Sequence, residues 1–297
     1  MSKLKFSYFQ LTFGQEETYK KPEISYKRLK KFGYDAIELT PPKGRYGLGV
    51  SIDKYALTHK KLKEDFSMHI SCINECWGEM WDPYSPEYKT LTERRTAELA
   101  IQETKISIDF AVEVGAPFVT VAVAIHDNIT QENVQECTTI AVESLRLMCA
   151  YAKQKGVKLV FEATNHLEMG KYVNTVLNHK RLIEYSGMDN LGIQIDWFHA
   201  NFEELNPYEA VMDAHPLLWH MHFRDSNSLT PGFGTVDFKS IIRAVKKIGY
   251  QGYCTLESAP MVPDTDTACK MGIDYLKLLE QIVDFQLCPA YPNGYAV

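Results

Sequence analysis

The chain has 297 residues, 45% of them apolar, with 38 acidic against 32 basic side chains and a formal net charge of −6. This length suits one (β/α)8 unit, since such barrels run to about 250 residues, and the acidic balance leaves no extended basic surface for nucleic acid. No apolar run of roughly 18 residues is present to span a membrane.

Met1-Ser-Lys-Leu-Lys-Phe6 enters a strand-like run directly, without the apolar core of a secretory leader, so a cytoplasmic protein is expected. Short apolar runs then alternate with longer helical patterns. Strands are predicted at residues 4–9, 36–39, 69–74, 118–122, 159–162, 191–196, 218–222 and 252–256, and helical stretches at 93–114, 131–155 and 238–248 among others. Gly33, Gly115, Gly156 and Gly249 stand just before predicted strands, where a left-handed cap ends one helix and turns the chain into the next strand. Two long loops interrupt this rhythm: residues 40–49 and the tryptophan-bearing 74–89, both on the rim where pockets form. The pattern predicts a single (β/α)8 TIM barrel over residues 1–286 and an irregular tail over 287–297. The seven cysteines form no Cys-x-x-Cys pair; Cys72, Cys76, Cys149 and Cys254 lie in or near apolar runs and read as reduced core thiols.

Four residues each end one of the later apolar runs: Glu162, Asp196, His222 and Glu257. Strands of a barrel that all end on one rim would gather these side chains around a point. Three carboxylates and an imidazole suit a single divalent ion, Mn2+ first, with Mg2+ or Co2+ as alternatives. Each residue also has a plainer reading taken alone: Glu162 as a rim ion pair, Asp196 as a helix cap. His220 and His222 point the same way on a strand of period two, so one can be a ligand while the other packs. Tyr8, Phe9, Trp77, Trp81, Tyr84 and Trp197 fall near strand ends, where aromatic faces can stack on sugar rings or simply pack.

These residues resemble the xylose-isomerase-like barrel family of sugar isomerases and epimerases, nearest to its ketose 3-epimerases of the tagatose and psicose type. Glu162, Asn165 and Glu168 reproduce a Glu-x-x-Asn-x-x-Glu segment; Asp196 and His199 reproduce an Asp-x-x-His; His220, His222, Ser226 and Asn227 reproduce a His-x-His followed by a Ser-Asn turn. The resemblance implies that Glu162, Asp196, His222 and Glu257 bind the metal, that Glu162 and Glu257 are the acid/base pair, and that Glu168 and His199, with Asn165 beside them, meet the sugar. Trp77 and Trp81 are further candidates for substrate contact. Two positions depart from the pattern. Ser228 stands where these enzymes carry Arg, and His166 stands where their strand-five segment usually carries Arg; His166 is a candidate for a catalytic role.

The reaction expected is proton abstraction next to a carbonyl through an enediolate, giving epimerisation, aldose–ketose isomerisation or, if a β-substituent leaves, lyase chemistry. Some relatives are C-glycoside deglycosidases, which cleave 3-oxo-glycosides with a small partner subunit. Residues Ser228, His166, Trp77, Trp81 and the tail suit that alternative. A small-molecule sugar or sugar conjugate is the expected partner, with an oligomer expected and neither nucleic acid nor membrane. Apurinic endonucleases share the barrel, but the acidic balance and a single cage speak against that class.

Overall fold

The computed structural model describes residues 3–75, 77, 89–122, 129–167, 170 and 172–287 (of 45 and 46, the backbone only). Eight strands form a closed parallel barrel: β1 Lys5–Phe9, β2 Ala36–Leu39, β3 His69–Asn74, β4 Phe118–Val121, β5 Lys158–Glu162, β6 Leu191–Asp196, β7 Leu218–Phe223 and β8 Tyr253–Leu256. Each pairs with its successor, and β1 closes the ring on β8 with Lys5 opposite Tyr253 and Tyr8 opposite Leu256. The apolar runs have their cause here. Ile37, Leu39, Val119, Leu159, Ile193 and Met221 are fully buried, as strands covered on both faces require.

Helices α1 Pro22–Phe32, α2 Ile52–Asp65, α3 Arg94–Val114, α4 Val134–Lys155, α5 Val176–Ser186, α6 Trp197–Glu203, α7 Pro207–Ala214, α8 Phe238–Lys247 and α9 Thr265–Gln286 surround the sheet. Gly115 and Gly156 end α3 and α4 at φ 76° and 73°, returning their N–H groups to carbonyls of the last turn. A β-carbon is disfavoured in that left-handed geometry, so glycine there releases the chain into β4 and β5. Ser51, Thr175, Asn206, Asp237 and Asp264 cap the starts of α2, α5, α7, α8 and α9 by accepting backbone N–H groups.

Hydrogen bonds between strands that are not neighbours cross the barrel interior. Ser7 and Ser71 share one at 2.7 Å, Thr120 Oγ1 donates to Gln194 Oε1 at 2.6 Å, and His220 Nε2 donates to Glu38 Oε2 at 2.7 Å. Outside the ring, Lys246 Nζ of α8 donates to Glu280 Oε1 of α9 at 2.6 Å, and the Leu4 N–H donates to the same oxygen at 2.7 Å. That buried pair ties the last two helices to the start of β1. Paired in this way, neither charge stands alone in the core.

The described cysteines, at 72, 137, 149, 254 and 269, are all buried and unbridged, as expected of core thiols; Cys76 lies outside the described residues. Burial pushes the Cys149 thiol up to about 12. Among the described residues no helix is long and apolar enough to cross a membrane. Of the predicted tail, Leu287 is the C-cap of α9, and residues 288–297 lie outside the described residues.

His59 of α2 is fully buried against Tyr55, its Nδ1 2.9 Å from the Tyr26 hydroxyl. Burial holds its pKa down at about 3, against 6.5 for an ordinary imidazole. The unfolded chain therefore takes up a proton below pH 6.5 that the folded chain refuses. His59 leaves stability intact above that pH and removes about 1.4 kcal/mol per pH unit as acidity increases toward its folded value. Urea midpoints measured between pH 8 and pH 5 are expected to fall with pH. A His59→Phe variant should show a shallower fall, and an identical slope in both proteins would count against this assignment.

Candidate active site

Glu162 is the last residue of β5, Asp196 the last of β6, His222 lies one residue before the end of β7, and Glu257 follows β8 directly. These strands are consecutive around the ring and parallel, with Asp196 opposite His222, so their ends share one rim. Glu162, Asp196 and His222 each present a donor atom within 4.8 Å of the others. His222 Nδ1 donates to Glu257 Oε2 at 2.7 Å and lies 3.9 Å from Glu162 Oε1. Asp196 serves two ends at once. Its Oδ1 accepts the Phe198 N–H at 2.7 Å and caps α6, while Oδ2 faces His199 Nε2 at 4.0 Å and Arg224 Nη1 at 3.9 Å.

Asn165, on the loop after β5, is fully buried against His199. Its backbone N–H and its Nδ2 both donate to His199 Nδ1, at 3.3 and 2.8 Å. Two donors on Nδ1 make it the acceptor and leave the proton on Nε2, the nitrogen that faces Asp196. The structure thus joins these two sequence-predicted residues to each other and to the edge of the cluster.

Glu38 is a residue that sequence reasoning missed. It sits inside β2, fully buried, and accepts from His220 Nε2 at 2.7 Å, His222 Nε2 at 2.9 Å and Asn74 Nδ2 at 3.3 Å. With Nε2 of His222 committed to Glu38, Nδ1 is the nitrogen turned to the rim carboxylates. Glu38, His220 and His222 form a second group close enough to hold a cation. Three N–H donors already occupy its one carboxylate, so its chemistry is that of a bracket holding the imidazoles. The signal available in the sequence was an acid inside Ala36-Ile-Glu-Leu39, a strand whose neighbours are all buried.

Arg224 was also missed. It lies two residues beyond His222, and its Nη1 is 3.5 Å from Glu257 Oε1. Its guanidinium carbon stands 4.4 Å from the centre of the Phe198 ring, and its Nε donates to Ser228 Oγ at 2.9 Å. Position 228, which the ketose 3-epimerase pattern fills with Arg, thus holds the serine that anchors Arg224.

The electrostatics follow from crowding carboxylates out of water. Burial, with Asp196 and Glu257 nearby, raises Glu162 to about 8 against the pull of His222. Burial and Glu257 raise Asp196 to about 7, opposed by Arg224 and His222. Burial would raise Glu257 too, but Arg224 and His222 hold it below the ordinary carboxylate range. Burial would depress His222, yet Glu38 on one side and Glu257 on the other hold it well above the usual imidazole value. A divalent cation among Glu162, Asp196, Glu257 and His222 Nδ1 would relieve this repulsion, and hard oxygen donors with one imidazole suit such an ion.

Other expected site residues lie elsewhere. His166 is on the loop after β5 with its side chain 44% exposed, and its Nδ1 and backbone N–H both engage Glu203 Oε1, at 2.7 and 2.6 Å. Those contacts attach it to the end of α6 and do not bring it into the cluster. Trp77 does not offer a face to a ligand: it is 1% exposed, and its Nε1 donates to Thr104 of α3 at 2.9 Å. An aromatic ring near a strand end can pack inward as readily as outward, and Tyr8 and Trp197 are buried in the same way. Phe9 stacks on His222 with ring centres 5.8 Å apart. Glu168, Trp81 and Tyr84 fall outside the described residues.

Among curated proteins, the chain is 29% identical over 135 residues to the 3-dehydro-D-guloside 4-epimerase of Escherichia coli (strain K12), covering 46% of this chain and 51% of that protein. It is 33% identical over 117 residues to the D-psicose 3-epimerase of Enterocloster bolteae, covering 39% of this chain and 38% of that one. These matches thus span about half the length of the curated relatives or less. In architecture it is similar to the D-allulose 3-epimerase from Methylomonas sp. solved with D-allulose, with a TM-score of 0.76 at 19% identity, covering 94% of this chain and 98% of the other. Residues 26–279 match the family described as "Xylose isomerase-like TIM barrel", so the chain belongs to that family.

Proposed function

We propose that this protein is a divalent-metal-dependent sugar epimerase, acting on a carbon next to a carbonyl of a keto-sugar. The observation that carries the reading is the convergence of Glu162, Asp196, His222 and Glu257 on one rim. The names of the relatives add to it, because a 3-dehydro-guloside 4-epimerase and psicose 3-epimerases all invert a carbon beside a ketone.

Glu162, Asp196, Glu257 and His222 Nδ1 would hold the ion, and Mn2+ suits this donor set best, with Mg2+ and Co2+ following. When bound, the ion supplies positive charge beside the carbonyl and so makes the neighbouring C–H more acidic. Glu257 removes that proton to its carboxylate, while Arg224 beside it stabilises the charge it carries beforehand. Glu162 delivers a proton to the same carbon from the other carboxylate, which inverts it. Asn165 fixes His199 so that its Nε2–H is available to a sugar oxygen. His166, tied to Glu203, is given no step.

The test is incubation of Mn2+-loaded protein in D2O with D-psicose, D-fructose and a methyl 3-oxo-glucoside. One of these should gain deuterium at the carbon beside its carbonyl and yield the epimer, and stripping the ion with a chelator should stop both. Release of an aglycone from a 3-oxo-glycoside would point to lyase chemistry instead. Exchange unaffected by metal removal would defeat the metal-dependent reading.

A further inference from the structure

Gln194 lies inside β6, fully buried, and the chemistry described above gives it no part. Its register sets it between two groups of the site. Glu162 stands opposite it on β5 and His220 opposite it on β7, and partners across parallel strands direct their side chains to the same face of the sheet. One end of its amide is already committed. Thr120 Oγ1 donates to Oε1 at 2.6 Å, and Cys72 Sγ lies 3.2 Å from the same hydroxyl. The other end, Nε2, is a donor only. It is buried, and among the described residues no acceptor takes it at full hydrogen-bond geometry.

Two acceptors stand on that side. His220 Nδ1 is buried and untaken, and it is bare because Nε2 of that ring carries the proton given to Glu38. Glu162 is the other. Burial raises its pKa, and after His222 the Gln194 amide is the group that pulls it back down. A hydrogen bond to a carboxylate is roughly twice as strong as one between neutral groups, so Glu162 has the first claim on this donor. We infer that Gln194 is a positioning residue: Thr120 sets the direction of its amide, and the Nε2–H then holds the Glu162 carboxylate toward Asp196 and His222, where the ion would sit. The inference rests on the function proposed above for the ion. Gln194 acts through Glu162, and outer partners of this kind are worth about 10- to 100-fold in metal affinity.

The experiment compares wild type, Gln194→Met, Thr120→Val and the double variant. Calorimetry measures Mn2+ affinity. Melting temperature, and deuterium exchange at saturating Mn2+ with D-psicose, D-fructose and a methyl 3-oxo-glucoside, are measured on the same proteins. Gln194→Met keeps the volume without the donor and is expected to bind Mn2+ about 10- to 100-fold more weakly. Thr120 pairs in register with Val160, two positions below Glu162 on β5. Thr120→Val should nevertheless weaken Mn2+ binding in the same direction by a smaller factor, because the amide is then released to turn. The double variant should bind Mn2+ no more weakly than Gln194→Met, since Thr120 acts only through the amide. A merely space-filling glutamine gives the opposite pattern. Its unmatched Nε2 would be a burden, so the double variant would melt as high as wild type or higher and bind Mn2+ equally well, which overturns the inference. Losses that multiply in the double variant also overturn it. Where Gln194→Met does not fold, Thr120→Val decides alone, and unchanged Mn2+ affinity in it is the overturning result. A wild type that binds Mn2+ but catalyses no exchange defeats the epimerase reading alone, whereas a wild type without Mn2+ affinity overturns the inference and the metal-dependent reading together.

Discussion

Glu257→Gln is expected to reduce turnover and solvent exchange at the carbon acid by about 10²- to 10⁴-fold, the range a positioned acid or base supplies. The amide keeps the shape of the side chain but accepts no proton. It also removes a negative charge from the place where His222 Nδ1 donates at 2.7 Å and Arg224 Nη1 approaches to 3.5 Å. The ion would then lose one anionic oxygen donor, and the Arg224 guanidinium would face a neutral amide, so ion affinity should fall as well. Measuring exchange at saturating Mn2+ separates the two effects: the chemical defect persists at saturation, whereas a pure binding defect is restored. Exchange at the wild-type rate in saturated Glu257→Gln would remove this residue from the proton-transfer role.

Glu38→Ala should be the most damaging substitution for stability, at about 3–5 kcal/mol, the usual cost of leaving buried polar partners unmatched. The Glu38 carboxylate accepts from both His220 and His222, and no water-exposed route is open to either ring, since both are fully buried. The His222 ring would lose the contact that turns Nδ1 toward the rim, and Mn2+ affinity should drop about 10- to 100-fold, as when an outer partner of a metal-bound histidine is removed. Glu38→Gln tests orientation separately from charge. One amide offers an acceptor to one ring and a donor to the other, so it can hold only one Nε2–H. Denaturant midpoints and calorimetric Mn2+ titrations give both readouts, and wild-type values in Glu38→Ala would refute the bracket.

The strand pattern could be read from the sequence because parallel strands covered on both sides are short apolar runs, and because Gly33, Gly115 and Gly156 mark helix ends in front of them. Glu162, Asp196, His222 and Glu257 stood out because each interrupts such a run at its carboxyl end. Glu38 did not, since it lies within its strand and its partner His220 is 182 positions away. Only the closure of the ring sets β2 across from β7. Arg224 was hidden by a similar circumstance. Strand alternation places it on the side of His222, but its value comes from Ser228 and Phe198, whose contacts no local pattern announces. Trp77 shows the opposite failure: composition and loop position drew it to the rim, and Thr104 on α3 takes its ring nitrogen into the core.

The ring is sealed by the first strand meeting the last, residues 5–8 against 253–256, with the Leu4 amide fastened to Glu280 on the final helix. During synthesis, therefore, β1 must wait for residues 253–256 to leave the ribosome before that edge is covered. Glu257, immediately after the sealing strand, is the last of the four rim groups to arrive. A nascent or truncated chain ending before that point would expose an unpaired edge and lack one of the four rim groups, so on the function proposed above the complete ion site should form only after Glu257 has emerged.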